Sequence, residues 1–330
     1  MTTRPAPAAV KITLIGLDRV GASLALALKA RPELRLTGFD RDNDLARQAQ
    51  AGGLIHAAKW NLLEAAAGAD LVLLGGPLAD QPEWLKAFGP EVRDGGVVIG
   101  LGRLLAPQLA AAQRGLPAGR HFVAAHPLLN PAQLYDGAAG LEAARPDLFA
   151  KSLWALAAAP ECAPEALKLA GDLATLVGAQ PYFMDPAEHD GLAAAVDGLP
   201  VLVAHALLRA ADASPGWGEM RKVADREFAT ATFALANLDA AALSLNRENV
   251  LRYLDALSAE LSGLRDLVAR SDAAALAAVL TESAERRARW ETDRARGEWE
   301  PAPAGPELPT FAGALGRFFA GGLFKKRDKA

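Results

Sequence analysis

The sequence predicts an α/β protein: a doubly wound, mostly parallel sheet in the N-terminal part, followed by an all-helical C-terminal domain. Three observations predict it. Short apolar runs at 10–15, 35–39, 71–74, 97–99, 122–125, 153–156 and 181–184 alternate with stretches of helical spacing, the pattern of a parallel sheet covered on both faces. After Asp185 the strand signals stop, and the chain reads as helical up to about residue 300. A length of 330 residues also exceeds what one hydrophobic core ordinarily serves. These observations place the boundaries at 1–185 for the sheet domain, 186–300 for the helical domain and 301–330 for a tail.

Most of the candidate strands are nearly continuous apolar runs, as strands buried on both faces should be. The stretches between them carry apolar residues at helical spacing, such as Leu24 and Leu28, or Leu167, Leu173 and Leu176, so crossover helices join the strands. In the helical part, Leu251, Leu254, Leu257, Leu261, Leu264 and Val268 form one stripe along a helix. Such a face packs either on the chain's own helices or on a second copy, and the pattern serves both. Residues 282–296 mix both signs of charge, as a solvated helix face does.

The most apolar stretch, 191–208, carries Asp197, Pro200 and His205. These are costly in lipid, so it reads as a buried helix of a soluble protein. The tail opens with four prolines between Pro301 and Pro309, a linker composition. Phe311, Leu315, Phe318, Phe319, Leu323 and Phe324 follow, ahead of Lys325, Lys326 and Arg327. They predict an amphipathic basic helix that docks on the protein's own surface, with membrane contact as the alternative.

A net charge of −4, from 35 basic and 39 acidic side chains, offers no general attraction to nucleic acid. The single cysteine, Cys162, excludes an intrachain disulfide and a multi-cysteine metal site. No metal is assigned, Cys162 reads as a small apolar residue, and the compartment reads as a reducing cytoplasm. Met1 to Ala9 carries no apolar segment of the secretory type.

The first strand runs into Gly16-Leu17-Asp18-Arg19-Val20-Gly21 and then into the helical stretch SLALALK. In a Rossmann dinucleotide site the first glycine makes the turn, the second admits the pyrophosphate and the third lets helix pack on strand. Here Asp18 holds the middle position. Asp40 closes the second strand 19 residues after Gly21, where a carboxylate accepts hydrogen bonds from the adenosine ribose. The candidate cofactor-binding residues are therefore Gly16, Asp18, Arg19, Val20, Gly21, Asp40 and Arg41. Asp40 favours NAD, whereas Arg41 offers a partner for the 2′-phosphate of NADP. Asp18 has two readings. Either it faces the pyrophosphate and weakens binding, or it caps the helix, in which case its carboxylate occupies the anion site itself.

Several segments, in order, resemble the prephenate/arogenate dehydrogenase family: KITLIGLDRVGASLALALK, TGFDRD, ADLVLLGGP, VVIGLGRLL, FVAAHPLLN, GLEAARPDLFAKSLWALAAAP, FMDPAEHDGLAAAVDGLP and LNRENVLRYLDAL. They span roughly residues 10 to 260. The resemblance implies a Rossmann domain, a helical dimerisation domain and NAD(P)-dependent oxidative decarboxylation of a small carboxylate substrate. It also implies that His126, in the His-Pro motif, bonds the substrate hydroxyl and takes its proton.

The sequence departs from the family pattern at several places. Gly100, Arg103 and Leu105 stand where the family has Asp-x-x-Ser-x-Lys, and Asp197 and Gly198 stand in place of Ser-His. The usual substrate-carboxylate arginine falls on Ala231. Arg103 and Arg226 are the replacement candidates for binding the substrate. His189-Asp190 is retained, either as part of the site or as a helix cap. Two expectations follow: an active dehydrogenase, or a relative that has lost catalysis and acts as a binding or regulatory dimer.

Overall fold

The computed structural model describes residues 9–237 and 239–297, and the Pro-rich segment and basic tail lie outside them. The described residues fall into two compact units, the first ending at Pro186 and the second beginning at Ala187.

The first unit is one sheet of eight strands: β1 Val10–Ile15, β2 Leu34–Phe39, β3 Ala57–Ala58, β4 Leu71–Leu74, β5 Val97–Leu101, β6 His121–Pro127, β7 Leu153–Ala158 and β8 Gln180–Phe183. They lie in the order β3-β2-β1-β4-β5-β6-β7-β8. Every neighbouring pair is parallel except β6 with β7. The exception follows from the connection. The 128–152 segment holds two short 3-10 turns and no α-helix to carry the chain back across the sheet. The helices of this unit are α1 Arg19–Leu28, α2 Asn43–Ala51, α3 Leu62–Ala66, α4 Gln81–Phe88, α5 Ala106–Gly115 and α6 Pro164–Leu176.

Because the strands are buried on both sides, alternate residues feed two separate cores. Ile12, Leu14, Leu71, Leu73, Val97 and Ile99 join Leu24 and Leu28 of α1 and Leu169 and Leu173 of α6. Ile15, Val72, Leu74 and Val98 join Leu85 and Phe88 of α4 on the opposite face. Register with the helices on both sides is thereby fixed, since a one-residue slip of β1 would exchange its two cores. β3 has no apolar signal of its own. Its two alanines pair with Thr37 and Gly38, and His56 secures the approach by accepting from Leu36 N through Nδ1 at 3.0 Å.

The second unit is helical: α7 Pro186–Ala193, α8 Leu199–Asp212, α9 Trp217–Val223, α10 Arg226–Thr232, α11 Ala240–Leu245, α12 Arg247–Ala269 and α13 Ala273–Arg296. A π turn at Ala194–Gly198 joins α7 to α8, so 186–212 is one helical run, long and apolar enough to span a membrane by length and composition. The expectation that this stretch is buried is corrected. Leu192, Val196, Val203 and Leu207 are exposed, because no helix among the described residues covers that face. The stripe on α12 behaves alike, with Leu251, Leu261 and Val268 exposed and only Val250 of the helix buried.

Candidate active site

The turn between β1 and α1 is shaped by backbone crowding. Gly16 has φ +88°, and a Cβ there would sit 3.0 Å from Gly76 N. At Gly21 a Cβ would fall 2.0 Å from Gly16 O, a backbone atom that cannot yield cheaply. Gly21→Ala is therefore expected to destabilise the fold by about 1–3 kcal/mol, the range for forced overpacking. A urea midpoint equal to that of the native protein would show that the turn relaxes around the methyl group.

Asp18 is the N-cap of α1 and has an extended backbone. Its Oδ1 accepts from Val20 N and Gly21 N, both at 3.0 Å. These first-turn N–H groups are the donors that a helix N-terminus offers to a phosphate. Of the two readings open for this side chain, the cap is the one adopted, and the cap's own carboxylate holds the anion donors.

Arg19 turns away from the phosphate turn. Its guanidinium donates to both carboxylate oxygens of Asp136, at 2.8 and 2.6 Å, to Ala138 O at 2.9 Å and to Gln133 Oε1 at 3.3 Å. The guanidinium holds the Asp136 carboxyl below its ordinary value. Ser23 Oγ, which donates to Arg19 O, accepts from Arg145 N at 2.9 Å. The segment between β6 and β7 is thus tied onto α1 at two points.

Asp40 ends β2 beside the turn. One oxygen accepts from Leu17 N at 2.7 Å and the other from Asp42 N at 2.9 Å. Arg41 pairs with Asp80 at 2.6 Å and lies 4.8 Å over the Trp84 ring.

The parallel strands bring the remaining residues of this unit to the same edge, because β1, β2, β4, β5 and β6 all end there. Ligands of open α/β sheets bind outside this edge, where the strand order reverses; in this sheet the reversal falls between β1 and β4. His126 is buried near the end of β6. Arg103 is exposed just beyond β5, and Gly102 N donates to Ala125 O at 2.9 Å across the two strand ends. Gly100 has a packing cause: a Cβ there would lie 2.3 Å from Gln108 Oε1 and 2.5 Å from a Phe122 ring carbon. An aspartate at that place requires both neighbours to move.

In the second unit His189 Nδ1 lies 2.9 Å from Asp190 Oδ1, both side chains being buried. Asp190 O accepts from Asn246 Nδ2 at 2.6 Å, which fixes α7 to the start of α12. The capping alternative for this pair is corrected, since both residues lie inside α7. Arg226, at the start of α10, has a side chain 87% exposed and 3.6 Å from Glu227.

The residues present fit a dinucleotide at the two glycines and at Asp40, with Asp18 competing for the phosphate donors. Reading the sequence missed Gly75 and Gly76, which face the first turn, and the partners Asp136, Asp80 and Trp84. The glycine pair after β4 was the signal available for the first two. The others are long-range contacts without a local pattern.

Fold and turn together define the class, a Rossmann-type α/β domain joined to an all-helical unit. The family model for the prephenate dehydrogenase nucleotide-binding domain matches residues 24–183, and that for the prephenate dehydrogenase dimerization domain matches 185–282. The chain belongs to the prephenate dehydrogenase family. It is 25% identical to a prephenate dehydrogenase of Lactococcus lactis subsp. cremoris over 76% of this chain and 71% of that one. A cyclohexadienyl dehydrogenase of Zymomonas mobilis is 24% identical over 86% of this chain and 96% of its own. The crystal structure of prephenate dehydrogenase from A. aeolicus, in complex with hydroxyphenyl propionate and NAD+, matches with a TM-score of 0.76. It is 20% identical and covers 86% of this chain and 99% of that one.

Proposed function

We propose that the chain is a cytoplasmic NAD(P)-dependent oxidoreductase acting on prephenate, arogenate or a related small carboxylate. The observation that carries this reading is the shared sheet edge, which holds the glycine turn after β1 together with His126, the latter within the family-matched residues. A bound nicotinamide would supply the hydride acceptor for an oxidative decarboxylation. Gly16, Val20 and Gly21 would line the pyrophosphate of the bound dinucleotide, and Asp40 would accept from its adenosine ribose. His126 accepts the substrate hydroxyl proton as hydride leaves the same carbon and carbon dioxide departs. Arg103, His189 and Arg226 are the candidates for holding substrate carboxylates. The test is reduced-nicotinamide absorbance with prephenate and arogenate supplied in turn beside either nucleotide. No signal in any combination would move the assignment to the second reading, a regulatory relative, which the Asp18 cap favours.

The same proposal includes a homodimer built by the helical unit. Among the described residues its buried apolar side chains are few (Ala193, Ala194, Val201, Ala204 and Val250), while large ones on α8 and α12 are exposed. A second copy covering those faces would supply the missing apolar burial. Sedimentation at micromolar concentration is expected to give a dimer, and a monomer there would end this part of the reading.

A further inference from the structure

We propose that Asp80 sets the nucleotide choice of this site by holding Arg41, so that the site takes NAD and rejects NADP. The inference rests on the dinucleotide reading above and adds a residue to it.

Arg41 follows β2 and Asp80 precedes α4, so their contact spans the ends of β2 and β4 on either side of β1. The contact thus lies beside the switch point between β1 and β4 and next to Asp40, the residue proposed for the adenosine ribose. A lone arginine beside the ribose carboxylate would attract a 2′-phosphate. This one has its charge answered by Asp80 at 2.6 Å and its guanidinium carbon 4.8 Å from the centre of the Trp84 ring. A 2′-phosphate approaching Arg41 meets two carboxylates, Asp40 and Asp80, against one guanidinium. The ribose hydroxyl of NAD brings no such charge and needs only an acceptor, which Asp40 supplies. Trp84 is partly buried against the core, and its ring lies about 3 Å from where a Cβ on Gly76 would sit. The contact with Arg41 thereby lies beside the glycine turn. The Asp80 side chain makes no capping bond to α4, so its replacement by asparagine leaves the helix start intact.

The experiment is calorimetric titration of the full chain with NAD, NADP and 2′-AMP, which carries the discriminating phosphate without the pyrophosphate. It is run on native protein, Asp80→Asn and the double variant Asp80→Asn/Arg41→Met, each also in an Asp18→Gly background. Removing one like charge is expected to tighten NADP and 2′-AMP by about tenfold while NAD changes less than about twofold. The gain should vanish in the double variant, because it requires the freed guanidinium. If NAD binds and the NADP-to-NAD ratio is the same in Asp80→Asn, the selector role is overturned while the dinucleotide reading stands. If no form binds any of the three ligands, the dinucleotide reading falls and the proposal with it.

Discussion

Asp18→Gly is expected to tighten NAD binding by tenfold or more. In the native turn Val20 N and Gly21 N both point at Asp18 Oδ1, 3.0 Å away. A pyrophosphate entering this turn must share those donors with a fixed carboxylate or displace it. At a separation of about 5 Å and an effective dielectric near 20, each like-charge pair costs roughly 3 kcal/mol before solvent screening. The helix dipole favours an anion by about 0.3–1 kcal/mol, and it favours side chain and ligand alike, so it cannot restore the balance. Even a residual penalty of about 1.4 kcal/mol is tenfold in affinity. The accompanying loss of stability should be small, because glycine is itself a tolerated cap and costs only a few tenths of a kcal/mol relative to aspartate. Asp18→Asn separates the two effects, keeping a capping oxygen without the charge, and should fall between native and glycine forms. Calorimetric titration with NAD and NADP at matched ionic strength reads the result. Tight binding by the native chain with no gain in Asp18→Gly would mean that the carboxylate swings clear when ligand arrives.

The sheet was legible because its strands are buried on both faces and therefore stand out as unbroken apolar runs, Leu71–Leu74 being the plainest. β3 was not, since Ala57 and Ala58 become a strand only through pairing with Thr37 and Gly38. The stripe on α12 was legible as a stripe, but periodicity says that a face is apolar and not what covers it. In the site, the glycines and Asp40 announced themselves because local backbone geometry demands them. The fate of Arg19 could not be read: its partner Asp136 lies 117 residues away, in a segment with no regular pattern. Arg41 was read as a partner for the 2′-phosphate of NADP, and its own ion pair with Asp80 could not be read for the same reason. Asp80 is remote in sequence, and an ion pair leaves no periodic trace.

His126→Ala is expected to lower turnover by about 10²-fold or more, the usual scale for losing a positioned general base. The argument is one of position and chemistry together. His126 lies near the C-terminal end of β6, buried, in register with Ala155 of β7, on the edge where β1 delivers the glycine turn. Imidazole is the side chain whose ordinary pKa allows it to take and release a proton near neutrality. If the base role is correct, the loss falls on kcat with nucleotide affinity little changed, since the residues proposed for the ribose and pyrophosphate lie beyond other strands. His126→Asn keeps a hydrogen-bonding side chain of similar size but cannot take the proton. It should match alanine in rate while matching the native chain in thermal stability. Two results count against the role: substrate-dependent nicotinamide reduction unchanged in His126→Ala, or an asparagine variant that regains native turnover. Either would leave His126 a buried polar residue of the strand end and return the search for the base to the helical unit, where His189 and Asp190 are the next candidates.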